Sequence, residues 1–174
     1  EKNNFEVAIF DACFEENISI EMIKNKIKEY KPDVVGFSVY TALAKTAVKI
    51  AQVVKEIDAK IITIAGGPHA TYDYEYLLSN YPVDFVVLGE GELTLLELLI
   101  KIRSNEQDFE QVKGIAFLKD KVYTTERRPP IEDLDSLPYP ARHLVDFKKY
   151  IRNVLLPNAV DIMTSRGCSH LCAF

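Results

Sequence analysis

Two cysteines near the end of the chain, Cys168 and Cys172, have the residue type and the spacing to bind a soft metal. Three residues separate them and Gly167 precedes them, so a tight loop would present both thiolates to one centre. Cysteine thiolates are the usual ligands of iron–sulfur clusters. An isolated pair with this spacing can also be two unrelated thiols, because short motifs arise by chance. The pair therefore predicts iron–sulfur chemistry, and the elements before it decide between the two interpretations.

The composition of the 174 residues is that of a globular protein with room for one domain and an appendage. Hydrophobic residues make up 48% of the chain and charged residues 27%, and the net charge is -5. Because a phosphate backbone needs a basic surface, we expect no nucleic-acid partner. No apolar run approaches the ~20 residues that span a bilayer, so we expect no membrane partner. Three cysteines do not form a disulfide framework, which favours a cytoplasmic protein.

Apolar runs and helical periods alternate through the first half of the chain. Strands are predicted at residues 5–10, 34–39, 61–65 and 83–88. Helices are predicted at residues 20–30, 43–57, 74–78 and 94–102. Ser19 is the expected N-cap of the first helix, and Thr94 with Glu97 has the pattern of a capping box at the start of the last one. Strands that alternate with helices form a parallel sheet with helices on both faces.

The carboxyl ends of the predicted strands bring several polar and glycine-rich loops to one end of the sheet. Ligands of open α/β sheets bind beyond this end. One of these loops follows Asp11, and the others cover residues 38–41, 66–69 and 89–92. The glycine pair Gly66 and Gly67 lets backbone approach a flat ligand where a side chain would intrude. The hydroxyls of Ser38 and Thr41 are available as hydrogen-bond donors.

Two common ligands of such sheets do not fit these loops. A dinucleotide site needs three glycines after the first strand, and none follow it here. The later run Gly89-Glu90-Gly91-Glu92 has two glycines and places carboxylates where a pyrophosphate needs positive potential. A phosphoacceptor domain needs an aspartate at the end of the strand that here finishes at Ser38. We therefore expect neither activity.

Beyond residue 105 the pattern changes. Residues 115–118 and 121–125 predict a hairpin, and the prolines within residues 127–144 predict an extended linker. A short helix is expected at residues 146–151, and a strand at residues 159–163 leads to the cysteine loop. The predicted organisation is an α/β domain over residues 1–105, a hairpin and linker over residues 106–158, and the start of a second domain over residues 159–174.

In this order the segments resemble the cobalamin-binding domain that precedes the barrel of radical S-adenosylmethionine enzymes. The segments that carry the resemblance are Gly36-Phe37-Ser38, Gly66-Gly67-Pro68-His69-Ala70-Thr71, Val83-Asp84-Phe85-Val86-Val87-Leu88-Gly89-Glu90-Gly91-Glu92 and residues 134–144. Cys168, Cys172 and Phe174 match the radical S-adenosylmethionine signature Cys-x3-Cys-x-aromatic-Cys in register. The chain is similar to the magnesium-protoporphyrin IX monomethyl ester cyclase-like group. We expect it to be a piece of a longer protein, ending one residue before the third cysteine.

The resemblance implies a flavodoxin-like, doubly wound parallel sheet of the cobalamin-binding type, followed by a hairpin, a linker and the start of a radical S-adenosylmethionine barrel. The strands of that fold have the order 2-1-3-4-5, so residues 5–10 correspond to its second strand and the central first strand would precede Glu1. A missing central strand would leave backbone groups unpaired. We expect the gap to be closed by homodimerisation, or by pairing of residues 5–10 with residues 34–39.

The resemblance also implies which residues bind the cofactors. Those expected to contact cobalamin are Ser38, Tyr40, Thr41, Gly66, Gly67, Pro68, His69, Gly89, Glu90 and Gly91. Other roles remain open: Ser38 can satisfy a strand end, and the glycine pair can serve only the turn. His69 can cap a turn instead of binding cobalt, and Glu90 can be an acid at a helix start. Cys168 and Cys172 would be two of the three thiolate ligands of a 4Fe-4S cluster.

By the same resemblance, the parent protein is a cobalamin-dependent radical S-adenosylmethionine enzyme. Its cluster would reduce S-adenosylmethionine to a carbon radical, and cobalamin would carry a methyl group to an unactivated carbon of a small-molecule substrate. Oxidative cyclisation is the other reaction that the group implies. We expect the present chain to be inactive by itself. Two further interpretations stay open: a cobalamin-type fold without cofactor that serves as a packing or substrate-docking module, and an unrelated flavodoxin-like small-molecule binder.

Overall fold

The computed structural model describes residues 3–10, 19–145 and 162–167. The chain forms two compact units, residues 17–137 and residues 1–16 with 138–174. The strands and α-helices of the described residues all lie in the first unit, which we call the sheet domain. Within the described ranges, no helix is both long enough and apolar enough to cross a bilayer.

Among the described residues, one five-stranded sheet forms the centre of the sheet domain, and its strands lie side by side in the order in which they occur along the chain. The strands are β1 (Val34–Ser38), β2 (Ile62–Gly66), β3 (Phe85–Val87), β4 (Ile115–Leu118) and β5 (Val122–Thr124). The first three are parallel. The predicted hairpin, β4 and β5, joins the same sheet, and β4 pairs with β3 in the antiparallel direction. The predicted α/β class is confirmed, and the sheet is mixed because of the hairpin.

Five α-helices are described in the sheet domain. They are α1 (Ile20–Tyr30), α2 (Ala44–Ile57), α3 (Pro68–Tyr72), α4 (Tyr74–Asn80) and α5 (Glu92–Arg103). The predicted N-cap of α1 is confirmed, because the Met22 N–H donates to Ser19 Oγ at 3.1 Å. Lys31 ends α1 in the left-handed region with φ 47°, and Pro32 follows it.

Side chains alternate between the two faces of the sheet, and each face buries an apolar cluster. The cluster under α2, α3 and α4 includes Ala51, Ala65, Ala70, Leu77, Val86 and Ala116. The cluster under α5 includes Ile64, Phe85, Leu98, Val112, Ile115 and Phe117. Helices therefore cover both faces, as predicted, and the three parallel strands end together at one end of the sheet.

The predicted strand at residues 5–10 is wrong. These residues are described but form no strand, and Val7, Ile9 and Phe10 are exposed. An apolar run predicts burial, but a strand also needs a neighbour that pairs with its N–H and C=O groups. Among the described strands β1 pairs only with β2, so the expected pairing of residues 5–10 with residues 34–39 is also not found.

The predicted capping box is wrong as well. Helix α5 begins at Glu92, Gly91 is its N-cap, and no side chain caps it. Thr94 is instead a fully buried residue of the first turn. The predicted helix at residues 146–151 lies outside the described residues, and so does most of the predicted strand at residues 159–163.

Candidate ligand site at the carboxyl end of the sheet

Three loops follow the parallel strands at the carboxyl end of the sheet. The first loop comprises residues 38–41 at the end of β1, the second residues 66–71, which include the end of β2 and the start of α3, and the third residues 88–91 between β3 and α5. Every residue predicted to contact a cofactor in the sheet domain lies in one of them. The structure therefore brings together positions that are far apart in sequence, because parallel strands place their carboxyl ends side by side.

Gly67 allows the second loop to pack directly on the first. Its φ is 94° and its ψ 177°, a conformation that glycine adopts readily and other residues rarely adopt. A Cβ at this position would lie 3.1 Å from the Val39 carbonyl oxygen and 3.2 Å from the Val39 nitrogen. Two backbone hydrogen bonds join the loops here: the Val39 N–H donates to the Gly66 carbonyl at 2.7 Å, and the His69 N–H donates to the Val39 carbonyl at 3.1 Å.

His69 connects the second loop to the first through its side chain. Thr41 Oγ1 lies 3.3 Å from His69 Nδ1, and Asp73 Oδ2 lies 3.9 Å from His69 Nε2. Both ring nitrogens therefore have a polar group of the protein close by. This arrangement positions the imidazole at the candidate site and favours a role in holding the loops together.

Thr71 connects the second loop to the third. The Gly89 N–H donates to Thr71 Oγ1 at 3.1 Å, and Gly89 has φ 72°, in the left-handed region. Helix α3 thus carries two side chains, His69 and Thr71, that reach the loops on either side of it. Thr71 was not among the predicted site residues, although a hydroxyl two residues after the histidine of the glycine-pair loop was a usable signal.

Open space and exposed hydroxyls lie beside these contacts. A Cβ at Gly66 or at Gly89 would meet no atom within 4 Å. Ser38 and Thr41 are exposed, and Tyr40 is 56% exposed. Backbone without side chains, next to hydroxyl donors and an aromatic ring, suits a broad flat ligand with polar substituents. The residues present therefore fit a corrin, which needs close backbone approach and hydrogen-bond partners for its amides.

The side chain of Glu90 in the third loop contacts the chain beyond the hairpin. Glu90 Oε2 accepts a hydrogen bond from the Ile131 N–H at 2.8 Å. Nearby, Arg128 Nε donates to Thr94 Oγ1 at 2.8 Å, and the Arg128 guanidinium pairs with Glu97. Thr94 and Glu97 therefore bind an arginine of the predicted linker instead of capping α5. Arg128 was not among the predicted site residues, although the two prolines that follow it were a signal that its position is fixed.

The remaining predicted sites lie outside the described residues. Cys168 and Cys172, the expected cluster ligands, belong to this part of the chain, and so does the loop that follows the predicted first strand. Their assignment to an iron–sulfur cluster stays a prediction.

Comparison with known proteins adds a family and several relatives. The B12 binding domain family matches residues 1–99. An anaerobic magnesium-protoporphyrin IX monomethyl ester cyclase of Rubrivivax gelatinosus is 34% identical over 176 residues, which cover 95% of this chain and 31% of that protein. An uncharacterized methyltransferase of Pyrococcus horikoshii is 33% identical over 175 residues, which cover 99% of this chain and 37% of that protein. The chain thus spans about a third of the length of these relatives.

A solved structure shares the fold. The radical S-adenosylmethionine methyltransferase TsrM from Kitasatospora setae, solved with cobalamin and a [4Fe-4S] cluster bound, superposes with a TM-score of 0.64 at 18% sequence identity. The match covers 72% of this chain and 25% of that one.

Proposed function

The chain belongs to the B12-binding domain family, and on that premise we propose that the three loops bind cobalamin as part of a larger radical S-adenosylmethionine enzyme. The observation that carries this proposal is the glycine at position 67, whose backbone packs against Val39 without room for a side chain. The close packing sets the first two loops side by side. Next to it, Gly66 and Gly89 leave open space where the ligand would approach.

The residues of the loops have separate roles in this proposal. Gly66, Gly67, Gly89 and Gly91 keep backbone close to the ring, because none of them carries a side chain. Ser38 donates a hydrogen bond to the amides or to the nucleotide tail of the cofactor, and Thr41, whose hydroxyl lies 3.3 Å from His69 Nδ1, accepts one from an amide. The rings of Tyr40 and Pro68 supply exposed apolar surface, and Glu90 contributes its backbone. Bound cobalamin supplies a cobalt centre that can carry a methyl group.

Two alternative roles for His69 must be distinguished. It was expected either to ligate cobalt or to serve the turn, and its contacts with Thr41 and Asp73 favour the second role. We propose that His69 holds the first two loops at their observed distance. Replacing His69 by Asn keeps a polar side chain but removes the imidazole, so the visible spectrum of bound cobalamin should keep its band positions if His69 does not ligate cobalt.

The reaction of the whole protein is proposed from the relatives. A methyltransferase and a cyclase stand among them, so methyl transfer to an unactivated carbon and oxidative cyclisation are both retained. Cys168 and Cys172 would be cluster ligands, and S-adenosylmethionine the co-substrate, in a cytoplasmic enzyme that acts on a small molecule. The sheet domain itself supplies cofactor binding.

The proposal is tested by titrating the chain with hydroxocobalamin and measuring the dissociation constant by equilibrium dialysis. Wild type should bind, Ser38→Ala should bind several-fold more weakly, and Gly66→Leu should lose binding because its side chain fills the open space. Ser79→Ala, an exposed serine on α4, is the matched control and should bind like wild type. Absence of binding to wild type would instead favour the cofactor-free docking module.

We propose that the chain forms the predicted homodimer through the edge of β1. Among the described strands β1 has a partner on one side only, and a strand with unpaired backbone groups tends to associate with another chain. We expect sedimentation equilibrium to give twice the mass of one chain at micromolar concentration. A single-chain mass over the whole concentration range would contradict the dimer.

A further inference from the structure

Two contacts fasten the segment that follows the hairpin, residues 126–131, to the third loop and to α5. We call this segment the linker start. We propose that Glu90 is a positioning residue that holds the linker start against the third loop, so that a ligand on the loops also orders the linker start. The contact between Glu90 and Ile131 does not depend on the proposed function. Only the identity of the ligand as cobalamin rests on the proposed function.

The first contact fixes Arg128 on α5. Its Nε donates to Thr94 Oγ1 at 2.8 Å and its Nη2 pairs with Glu97, two residues that are three positions apart and share one face of the helix. The Arg128 side chain is only 20% exposed. Gly114 makes room for this arrangement, since a Cβ there would lie 3.1 Å from Thr94 Oγ1 and 3.4 Å from Arg128 Cβ.

The second contact uses the first backbone donor that the chain offers after Arg128. Pro129 and Pro130 have no N–H and hold their φ near -65°, so they act as a short stiff spacer. The next N–H is that of Ile131, and it donates to Glu90 Oε2 at 2.8 Å. A carboxylate acceptor makes this a charge-assisted hydrogen bond, which is stronger than one to a neutral acceptor.

Glu90 is well placed to transmit order because its neighbours on both sides are fixed. The Gly89 N–H donates to Thr71 of the second loop, and the Gly91 carbonyl accepts the Leu95 N–H at 2.7 Å in the first turn of α5. A displacement of the third loop must therefore move or break the contact with Ile131. By thermodynamic linkage, a ligand that orders the third loop protects the Ile131 N–H from hydrogen exchange. Loss of the contact then lowers the affinity for the ligand by the same factor.

The test is amide hydrogen exchange at Ile131, followed by NMR on the 174-residue chain with and without hydroxocobalamin. Glu90→Ala should raise the exchange rate of the Ile131 N–H by about tenfold, the effect of losing one hydrogen bond. Glu90→Gln should lie between wild type and Glu90→Ala, because its amide oxygen still accepts but carries no charge. Glu132→Ala, an exposed carboxylate next to Ile131 in the sequence, is the control and should leave the rate unchanged.

Hydroxocobalamin should slow the exchange of Ile131 several-fold in wild type and not in Glu90→Ala. Unchanged protection of Ile64 and Ala65 in β2 confirms that the variants are folded. Equal exchange of Ile131 in wild type and folded Glu90→Ala would overturn the contact. If hydroxocobalamin changes the NMR signals of the second loop but leaves the exchange rate of the Ile131 N–H unchanged, the coupling is overturned and the contact is not. Absence of binding would refute the proposed function and the coupling with it, while the comparison of variants still decides the contact.

Discussion

The two ends of the sheet use their polar groups in opposite ways. At the amino end, Asp84 Oδ2 accepts hydrogen bonds from the Thr63 N–H at 2.7 Å and from Thr63 Oγ1 at 2.8 Å. Lys55 Nζ lies 2.6 Å from the same oxygen and also donates to the Ile61 carbonyl at 2.7 Å. Thr63 is fully buried. These groups bind one another, so they stabilise the fold.

At the carboxyl end, Ser38 and Thr41 are exposed and the space beside Gly66 and Gly89 is open. A cavity of about 700 Å³ nevertheless lies at the amino end, where Lys55 and Asp84 are among its lining residues. Cavity size alone would therefore select the end whose polar groups already have partners. The difference indicates that exposed donors beside glycine backbone, and not depth, distinguish the end proposed to bind the ligand.

Removing the Asp84 carboxylate should have the largest effect on stability. Asp84→Ala takes away the acceptor of two hydrogen bonds from Thr63 and the partner of Lys55, and we expect a loss of about 2–3 kcal/mol in the free energy of unfolding. Urea denaturation followed by circular dichroism measures it. Asp120→Ala, in the exposed hairpin turn, should change stability by less than ~0.5 kcal/mol. Cobalamin affinity of the folded Asp84→Ala variant should equal that of wild type, and a marked loss of affinity would erase the distinction between the two ends.

Gly67→Ala should affect both stability and binding. A Cβ would stand 3.1 Å from the Val39 carbonyl in a backbone conformation that alanine rarely adopts, which costs on the order of 1–3 kcal/mol. The first two loops must then separate, so cobalamin binding should fall at least tenfold. Gly66→Ala is the matched control for stability, because its Cβ meets no atom within 4 Å and its φ is not positive. Equal stability of the two variants, measured by thermal unfolding, would show that the Gly67 conformation is not required.

Local sequence patterns predicted the elements whose stability is local. The cap at Ser19 and the hairpin at β4 and β5 depend on neighbouring residues, and both were found. The failures have tertiary causes. Residues 5–10 have the apolar run of a strand without a described pairing partner. Thr94 has the type and spacing of a capping residue but binds Arg128, which lies 34 positions away.

For the candidate site, too, one part was predictable from the sequence and another part was not. Topology alone predicted that the loops at residues 38–41, 66–69 and 89–92 meet, because parallel strands end together. The side-chain contacts of these loops were not predictable: Thr41 and His69 are 28 positions apart, and Glu90 and Ile131 are 41 apart. Such pairs depend on the orientation of α3 and of the linker start, which packing decides. Sequence therefore indicates which loops meet better than it indicates which side chains contact one another.

A threonine at the carboxyl end should matter less for stability than Asp84 at the amino end. Thr71→Val keeps the shape of the side chain but removes the acceptor of the Gly89 N–H, and we expect a loss of about 0.5–1.5 kcal/mol. The third loop loses its contact with the second, so cobalamin affinity should fall several-fold in the dialysis measurement. Thr46→Val, on the exposed side of α2, should change neither quantity. An unchanged affinity in Thr71→Val would limit the site to the first two loops.

The smallest effect on stability is expected from a surface ion pair that joins neither the polar groups around Asp84 nor the three loops. The hydrogen bond from Lys119 to Glu110 holds the pKa of Glu110 below its ordinary value of 4.5, and the same bond raises the pKa of Lys119 above 10.5. A carboxyl with a lowered pKa in the folded state stabilises the protein above about pH 4.5, and the contribution disappears as the pH falls through the folded-state pKa. The same interaction is lost at high pH, as the pH rises through the raised pKa of Lys119. Glu110→Gln should therefore lower the melting temperature slightly at pH 7 and not at pH 3, whereas Glu132→Gln, an exposed carboxyl of the linker, should not reproduce this dependence.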